Sequence, residues 1–248
     1  MSAKDDIDRV ARWIKGADHI LAFTGSGFSA ESGVPTFRGT GGLYEDPDIL
    51  RYAHADALEE EPEEALAWIE GLRGRLTGFS PNPGHRALAR ICRDHDCTIA
   101  TQNIDGLLEE AFADEGLSTD CIWHIHGTLW KARCLDCGEP AEVPDDYTKA
   151  RCEACGGYLR PGVVLFGEML PEEPFARVQD AARRADIVLL LGTSGVVHPA
   201  AALPGLARSH GAKIVEINPN ETELSDMCDV VIRGKTGEVM PAVLGAMG

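Results

Sequence analysis

Apolar positions fall along the chain in two rhythms. Ile7, Val10, Ala11 and Ile14 recur at helical spacing, and Gly16 ends the predicted helix just after Lys15. Five short apolar runs then follow at intervals: His19–Thr24 (HILAFT), Cys97–Thr101, Ile187–Leu191, Lys213–Ile217 and Asp229–Ile232. Each has strand length and little polar alternation, the pattern of strands buried on both faces. From Gly41 to about Gly74 an acidic stretch reads as helical, with Pro62 at a first turn and Glu63 and Glu64 behind it. Pro81-Asn82-Pro83-Gly84-His85 reads as a loop, followed by a helix from Arg86 to about Asp94. Strands alternating with helices predict an α/β fold with a mostly parallel, doubly wound sheet.

Polar or Gly-rich segments stand at the carboxyl ends of four of these strands, where open α/β sheets bind ligands. They are Gly25–Gly39 (GSGFSAESGVPTFRG), Gln102-Asn103-Ile104-Asp105-Gly106, Gly192-Thr193-Ser194 and Asn218-Pro219-Asn220. Gly25, Gly27 and Ala30 fit the G-x-G-x-x-G/A spacing that lets a backbone approach a pyrophosphate at a helix N-terminus. That spacing recurs in many folds. The continuation is more unusual, because Ser32-Gly33-Val34-Pro35 breaks the helix almost at once. Phe37-Arg38 then sets an aromatic ring and a cation beside the turn, an arrangement suited to chemistry on the nucleotide as well as to holding it.

Composition narrows the function. The chain has 248 residues, enough for one large domain with a small insert. Its 23 basic and 40 acidic residues give a formal net charge of −17, which argues against nucleic-acid and anionic-membrane partners, since phosphate contacts need a basic face. The acidity either serves solubility or favours a basic substrate such as a lysine-rich tail. Scarce lysine beside abundant carboxylate suits a salt-rich cytoplasm. No stretch approaches the roughly 20 apolar residues of a membrane span, so a cytoplasmic location is expected.

Four of the eight cysteines form two tight pairs, Cys134-x-x-Cys137 and Cys152-x-x-Cys155, 14 residues apart, with Gly138 and Gly156-Gly157 easing the backbone. Four thiolates satisfy a closed tetrahedral site, so one structural zinc is expected. Two such pairs in a polar, strand-poor insert argue against a redox pair. Just before them stands His124-Ile125-His126-Gly127. On a strand the two histidines would point to opposite faces, so one at most meets the sheet-edge cleft. His126, beside a glycine that leaves room for substrate, is the candidate general base. Gln102, Asn103 and Asp105 offer groups for ribose hydroxyls and a carboxamide, or serve as caps and turn formers.

Taken in order, GSGFSAESGVPTFRG, TQNIDGL, IHG, the paired cysteines, RPGVVLFGE, GTS and INPNET resemble the sirtuin (Sir2) family of NAD-dependent protein deacylases, from about Ile20 to Pro241. The resemblance implies a Rossmann-like domain (1–40, 75–128 and 165–248) and a smaller domain built from a helical insertion (41–74) and a zinc ribbon (129–164). It implies NAD as co-substrate, acyl-lysine proteins as partners, and His126 with Asn103 as the catalytic pair. The implied NAD set is Gly25, Ser26, Gly27, Ala30, Glu31, Phe37, Arg38, Gln102, Ile104, Asp105, Gly192, Thr193, Ser194, Asn218, Pro219, Asn220 and Thr236. Within it Phe37 shields the reactive ribose carbon, Gln102 binds the nicotinamide ribose, and Ile104 and Asp105 hold the carboxamide. Val164, Leu165, Phe166 and Gly167 would pair with a substrate peptide as an added strand. The implied chemistry is attack of the acyl oxygen on ribose C1′ as nicotinamide leaves, followed by deprotonation of the ribose diol by His126. Products would be lysine, nicotinamide and O-acyl-ADP-ribose.

Three departures from the family pattern stand out: Ser26 replaces a common Ala, Leu108 a common His, and Gly162 a frequent polar residue. Desuccinylating relatives carry a Tyr-x-x-Arg pair near Ile69 and Leu72; the apolar residues here favour neutral acyl groups over succinyl or malonyl. Mono-ADP-ribosyl transfer is the alternative activity, since it uses the same cleavage of NAD.

Overall fold

The structure, a computed structural model, describes residues 2–38 and 42–248. Gly39, the end of the opening motif, and Gly41, the expected start of the helical insertion, lie outside the described residues, as do Met1 and Thr40. Helix α1 (Ala3–Lys15) starts at a capping box in which Ser2 and Asp5 satisfy each other's backbone N–H, and it ends at Gly16. Strand β1 (Ile20–Thr24) leads into a one-turn helix α2 (Ser26–Ser29). The acidic stretch folds as three helices, α3 (Pro47–Tyr52), α4 (Ala55–Glu60) and α5 (Pro62–Arg75), with Pro47 and Pro62 both in first turns. Next come α6 (Pro83–Asp94), β2 (Cys97–Thr101), α7 (Leu107–Asp114), β3 (Ile122–His124), β4 (Gly127–Cys134), β5 (Pro140–Ala141) and β6 (Leu159–Val163). The chain closes with α8 (Glu172–Arg184), β7 (Ile187–Leu191), α9 (Leu203–Ser209), β8 (Lys213–Ile217), β9 (Val230–Ile232) and α10 (Thr236–Met247).

Six parallel strands form one sheet in the order β3-β2-β1-β7-β8-β9. The order reverses at β1, so β1 and its neighbours β2 and β7 open a crevice at their carboxyl ends. The apolar runs are continuous because both faces are covered. Ile20, Ala22, Leu189 and Leu191 pack under α1, α6 and α10, while Leu21, Phe23, Val188 and Leu190 pack under α8 and α9.

Three local differences from the sequence reading have simple causes. Helix α6 begins at Pro83, three residues earlier than predicted, because the Asn82 side chain caps it and Pro83 sits where no N–H is needed. The zinc insert is not strand-poor: β5, β4 and β6 form an antiparallel sheet, and its short strands carry no regular alternation. Strand β3 stops at His124, so His126 occupies a turn and the strand alternation expected of the two histidines does not apply. They still part company, because Gly127 at φ +70° swings the chain into β4.

A separate apolar core joins α3, α4 and α5 to the three-stranded sheet, with Leu58, Leu66, Ile69, Leu129 and Tyr147 at its centre. Among the described residues no helix is long and apolar enough to cross a membrane.

Candidate active site

The turn after β1 is locked onto the end of β7. Gly25 donates its N–H to the Leu191 carbonyl over 3.0 Å, and Gly27 to the Gly192 carbonyl over 2.9 Å. A Cβ on Gly25 would lie 2.8 Å from the Thr193 Cα, so glycine here meets a neighbouring strand as well as any ligand. Helix α2 gives way to a 3₁₀ turn at Ala30–Ser32, and Gly33 at φ +93° sends the chain off, the early break that the sequence predicts. Phe37 packs its ring 5.5 Å from Tyr44, and the Arg38 guanidinium lies 4.8 Å over the same Tyr44 ring. Tyr44 in turn reaches Phe166 at 5.9 Å, linking the Phe37–Arg38 loop to the expected peptide segment.

At the end of β2, Gln102 donates to Thr193 Oγ1 at 2.8 Å. Asn103 donates its side-chain amide to Ser29 Oγ at 3.1 Å and its backbone N–H to Thr101 Oγ1 at 3.1 Å. Ser29 also meets His85, whose imidazole burial pushes down to about 3, so that ring is neutral. Asp105 is buried; burial raises its carboxyl above the usual range, against hydrogen bonds from Ser29 and the Leu107 N–H. Burial likewise lowers the His126 imidazole, opposed by a hydrogen bond with the Gln102 backbone. The His126 carbonyl accepts from the Val164 N–H at 2.8 Å.

These groups surround one cleft of about 1760 Å³, large enough for more than one small ligand. Its wall includes Gly25, Ser26, Gly27, Ala30, Glu31, Phe37, Arg38, Gln102, Asn103, Ile104 and His126. Gly192, Thr193, Ser194, Asn218, Pro219, Asn220 and the segment Val164–Gly167 complete much of it. Asp105 and Thr236 stand behind the wall; Lys235, next to Thr236, is on it. His124 is absent from this cleft and lines a second cavity. Toward α5 the wall turns apolar, with Ile49, Trp68, Ile69, Leu72 and Leu129. Arg38 and Lys235 are the Lys and Arg residues among the described lining. Two cations with the Ser26, Thr193 and Ser194 hydroxyls fit a pyrophosphate, in a chain otherwise strongly acidic. Glu31 is partly committed, accepting the Gly237 N–H at the start of α10 over 2.6 Å.

The Val164–Gly167 segment is braced by residues that sequence reasoning passed over. Arg160, 2% exposed, donates to the Val163 carbonyl at 2.8 Å and to Glu168 Oε2 at 3.1 Å, while Glu168 accepts the Leu165 N–H at 2.8 Å. Burial alone would raise the Glu168 carboxyl; Arg160 and the Leu165 N–H hold it below its usual range. An Arg and a Glu bracketing an apolar run in RPGVVLFGE signalled such a buried pair. Phe166 exchanges backbone hydrogen bonds with Ala53 and Ala55 at 2.8 and 2.9 Å. Tyr44 had no sequence signal, because it lies in an isolated 3₁₀ turn, Leu43–Glu45, too short to show periodicity.

The four paired cysteines bring all four Sγ atoms within 4.8 Å of one another. Cys134 and Cys155 are 3.5 Å apart and Cys137 and Cys152 3.7 Å apart. A disulfide needs about 2.05 Å, whereas tetrahedral zinc with bonds of about 2.3 Å separates its sulfurs by roughly 3.8 Å. The donor set therefore fits zinc.

The Sir2 family profile matches residues 25–199. The NAD-dependent protein deacylase 2 of Pyrobaculum aerophilum is 38% identical over 95% of this chain and 93% of its own length. A Sir2 homologue solved with NAD superposes at a TM-score of 0.85, with 37% identity over 96% of this chain and 93% of its own. A Sir2 protein solved with a deacetylated p53 peptide and 3′-O-acetyl-ADP-ribose superposes at 0.86, with 27% identity over 96% of this chain and 97% of its own.

Proposed function

This chain belongs to the Sir2 family, and from that premise we propose that it is an NAD-dependent protein-lysine deacetylase, with neutral acyl groups preferred over succinyl and malonyl. One observation carries the reading. His126, its imidazole kept neutral by burial, stands in a single cleft between the glycine turn and Val164–Gly167. A neutral imidazole there accepts a proton from a substrate hydroxyl, which is the general-base role. NAD, when bound, supplies the ribosyl carbon and diol that receive the acyl group as nicotinamide departs.

The chain's residues divide the rest of the work. Ser26, Arg38, Thr193, Ser194 and Lys235 hold the phosphates. Asn218, Pro219 and Asn220 hold the adenosine half, and Gln102 the nicotinamide ribose. Ile104 and Asp105 orient the carboxamide, with Asp105 reached from behind the wall. Phe37 closes over the reacting ribose and excludes water. The cysteine cluster holds one zinc that shapes the small domain and takes no part in the reaction. With boundaries of 1–40, 75–128 and 165–248 against 41–74 and 129–164, most of the second apolar core lies in the small domain, and Val34, Leu76, Leu107 and Leu165 join it from the large one. Eight cysteines with no disulfide among them, four of them in the metal cluster, accord with a cytoplasmic location.

The preference for neutral acyl groups is supported by the apolar wall at Ile69 and Leu72, 1% and 8% exposed, with no Lys or Arg beside them on the cleft lining. A buried acyl carboxylate would have no cationic partner there. The test is a panel of acetyl-, butyryl-, succinyl- and malonyl-lysine peptides with NAD, read by mass spectrometry. Free lysine peptide and O-acyl-ADP-ribose are expected from the neutral members. Equal turnover of succinyl-lysine would refute the acyl preference, and an ADP-ribosylated protein without deacylation would refute the activity.

A further inference from the structure

His124 faces two acceptors at once. Its Nδ1 lies 3.2 Å from the Asn103 carbonyl oxygen, and its Nε2 contacts Oε1 of Glu109 on α7. A neutral imidazole has one N–H and satisfies one acceptor; the doubly protonated ring satisfies both. A neutral ring beside a protonated Glu109 holds the same extra proton on the other partner. Glu109 Oε2 is buried with no hydrogen-bond partner among the described residues, so His124 is the donor that this carboxylate has.

We propose that His124 and Glu109 form a proton-holding pair that positions the Asn103 carbonyl, and with it the Gln102–Asp105 loop, for the NAD-dependent reaction. The proposal rests on the reading of that loop as the nicotinamide side of the site. Strand pairing sets His124 opposite Thr101, and the Ile125 N–H bonds the Thr101 carbonyl at 3.0 Å, so the ring is delivered to the back of the loop by the sheet itself. Asn103 is tethered at its N–H and at its side chain by the bonds to Thr101 and Ser29. His124 supplies the third tether, at the carbonyl.

The pair lines a cavity of about 750 Å³ separate from the catalytic cleft, so its proton exchanges with solvent without crossing bound substrate. Glu110 on α7, Asp120 before β3 and Lys131 on β4 line the same cavity. Asp105, on the loop, also feels the pair: beyond the dominant effect of burial, Glu109 raises its carboxyl and His124 lowers it. The pair's protonation state thus reaches both the geometry of the loop and the charge of its buried acid.

Three variants separate positioning from folding. His124→Ala removes the donor to Asn103. His124→Asn places an amide nitrogen where Nδ1 stood, without a titrating group. Glu109→Gln offers an amide to Nε2, so that a neutral ring with its proton on Nδ1 satisfies both neighbours. Rates and KM values for NAD and an acetyl-lysine peptide are followed from about pH 6 to pH 10, with melting temperatures alongside.

Wild-type deacylation is measured first, and its absence would overturn the functional reading independently. In active enzyme Glu109→Gln should lose less kcat than His124→Ala, because a neutral ring there still donates to the Asn103 carbonyl. His124→Ala should lower kcat about tenfold, as loss of a charged hydrogen bond does, with peptide KM little changed, and His124→Asn should restore most of it. Where His124→Ala does not fold, the other two variants decide. Equal kcat in His124→Ala and wild type, equal losses in His124→Ala and His124→Asn, or a loss in Glu109→Gln as large as in His124→Ala would each overturn the proposal.

Discussion

Gly27 hands its backbone N–H to the carbonyl oxygen of Gly192, 2.9 Å away. A Cβ on Gly192 would lie 2.2 Å from the Phe28 nitrogen, and one on Gly27 would lie 2.7 Å from the Gly192 oxygen. The glycines of the turn after β1 and of the end of β7 thus satisfy two demands with one residue type. They leave a bare backbone toward the cleft, and they let the ends of β1 and β7 meet at main-chain contact. The second demand alone would fix them, which is why the G-x-G-x-x-A spacing by itself does not identify the chemistry.

Gly192→Ala is therefore expected to be costly. The residue sits at φ +59°, and the added methyl meets backbone rather than a movable side chain. A loss of about 2 kcal/mol or more follows from conformation and overlap together, equivalent to a fall of roughly 5 °C in Tm for a chain of this size. The KM for NAD should rise as well, because Gly25 and Thr193 move with the contact. A melting curve and an NAD titration that both match wild type would sink this account.

What the sequence made legible follows the same physics. Strands β2, β7 and β8 coincide with their apolar runs because burial on both faces demands continuous apolar residues. Strand β3 is three half-buried residues at a sheet edge, and no such demand marks it. The residues at strand ends were legible as a group, since topology alone brings them to one crevice. Tyr44 and the His124–Glu109 pair were not. Each depends on a contact between different elements, and neither spacing nor periodicity encodes it.

The zinc cluster makes a separable prediction. Cys134 and Cys152 are buried in a core shared with α5, so a metal held by the cluster would brace the three-stranded sheet beside the helices. Cys152→Ser should release the one zinc per chain, measured with a chromogenic chelator, and lower Tm by about 10 °C. Activity should fall with folding rather than through KM for NAD, because no cluster residue lines the cleft. A variant that loses zinc yet melts and turns over as wild type would show that the cysteines carry no structural load.

Asp105 should trade stability for function. Its folded carboxyl is raised above the ordinary value of 3.8, chiefly by burial. A raised carboxyl contributes stability below its unfolded value and loses that contribution as pH rises through the folded one. Asp105→Asn keeps an oxygen for the Leu107 N–H and removes the buried charge. The variant should melt higher than wild type at neutral pH, by about 1 kcal/mol, and the gap should close as pH falls toward 4. Nicotinamide release should slow by at least about tenfold. A variant that is both less stable at neutral pH and fully active would contradict both halves.

His126 gives the sharpest pH signature. A general base works in its deprotonated form, which predominates above its pKa, and burial has moved that pKa below the ordinary 6.5. The acid limb of kcat/KM should therefore lie below the value of an exposed histidine, so activity persists into mildly acidic solution. His126→Ala should cut deacylation by about 10²–10⁴-fold. Stability supplies an independent check on the same shift. A lowered folded pKa means that the neutral ring stabilises the fold above the unfolded value and that this contribution is lost as pH falls through the folded one. Wild type should then lose stability relative to His126→Ala on acidification below about pH 6.5, even where neither protein is assayed for turnover. An acid limb above 6.5, with no such crossing of the two melting profiles, would mean that the ring is stabilised as a cation and acts otherwise than as the base.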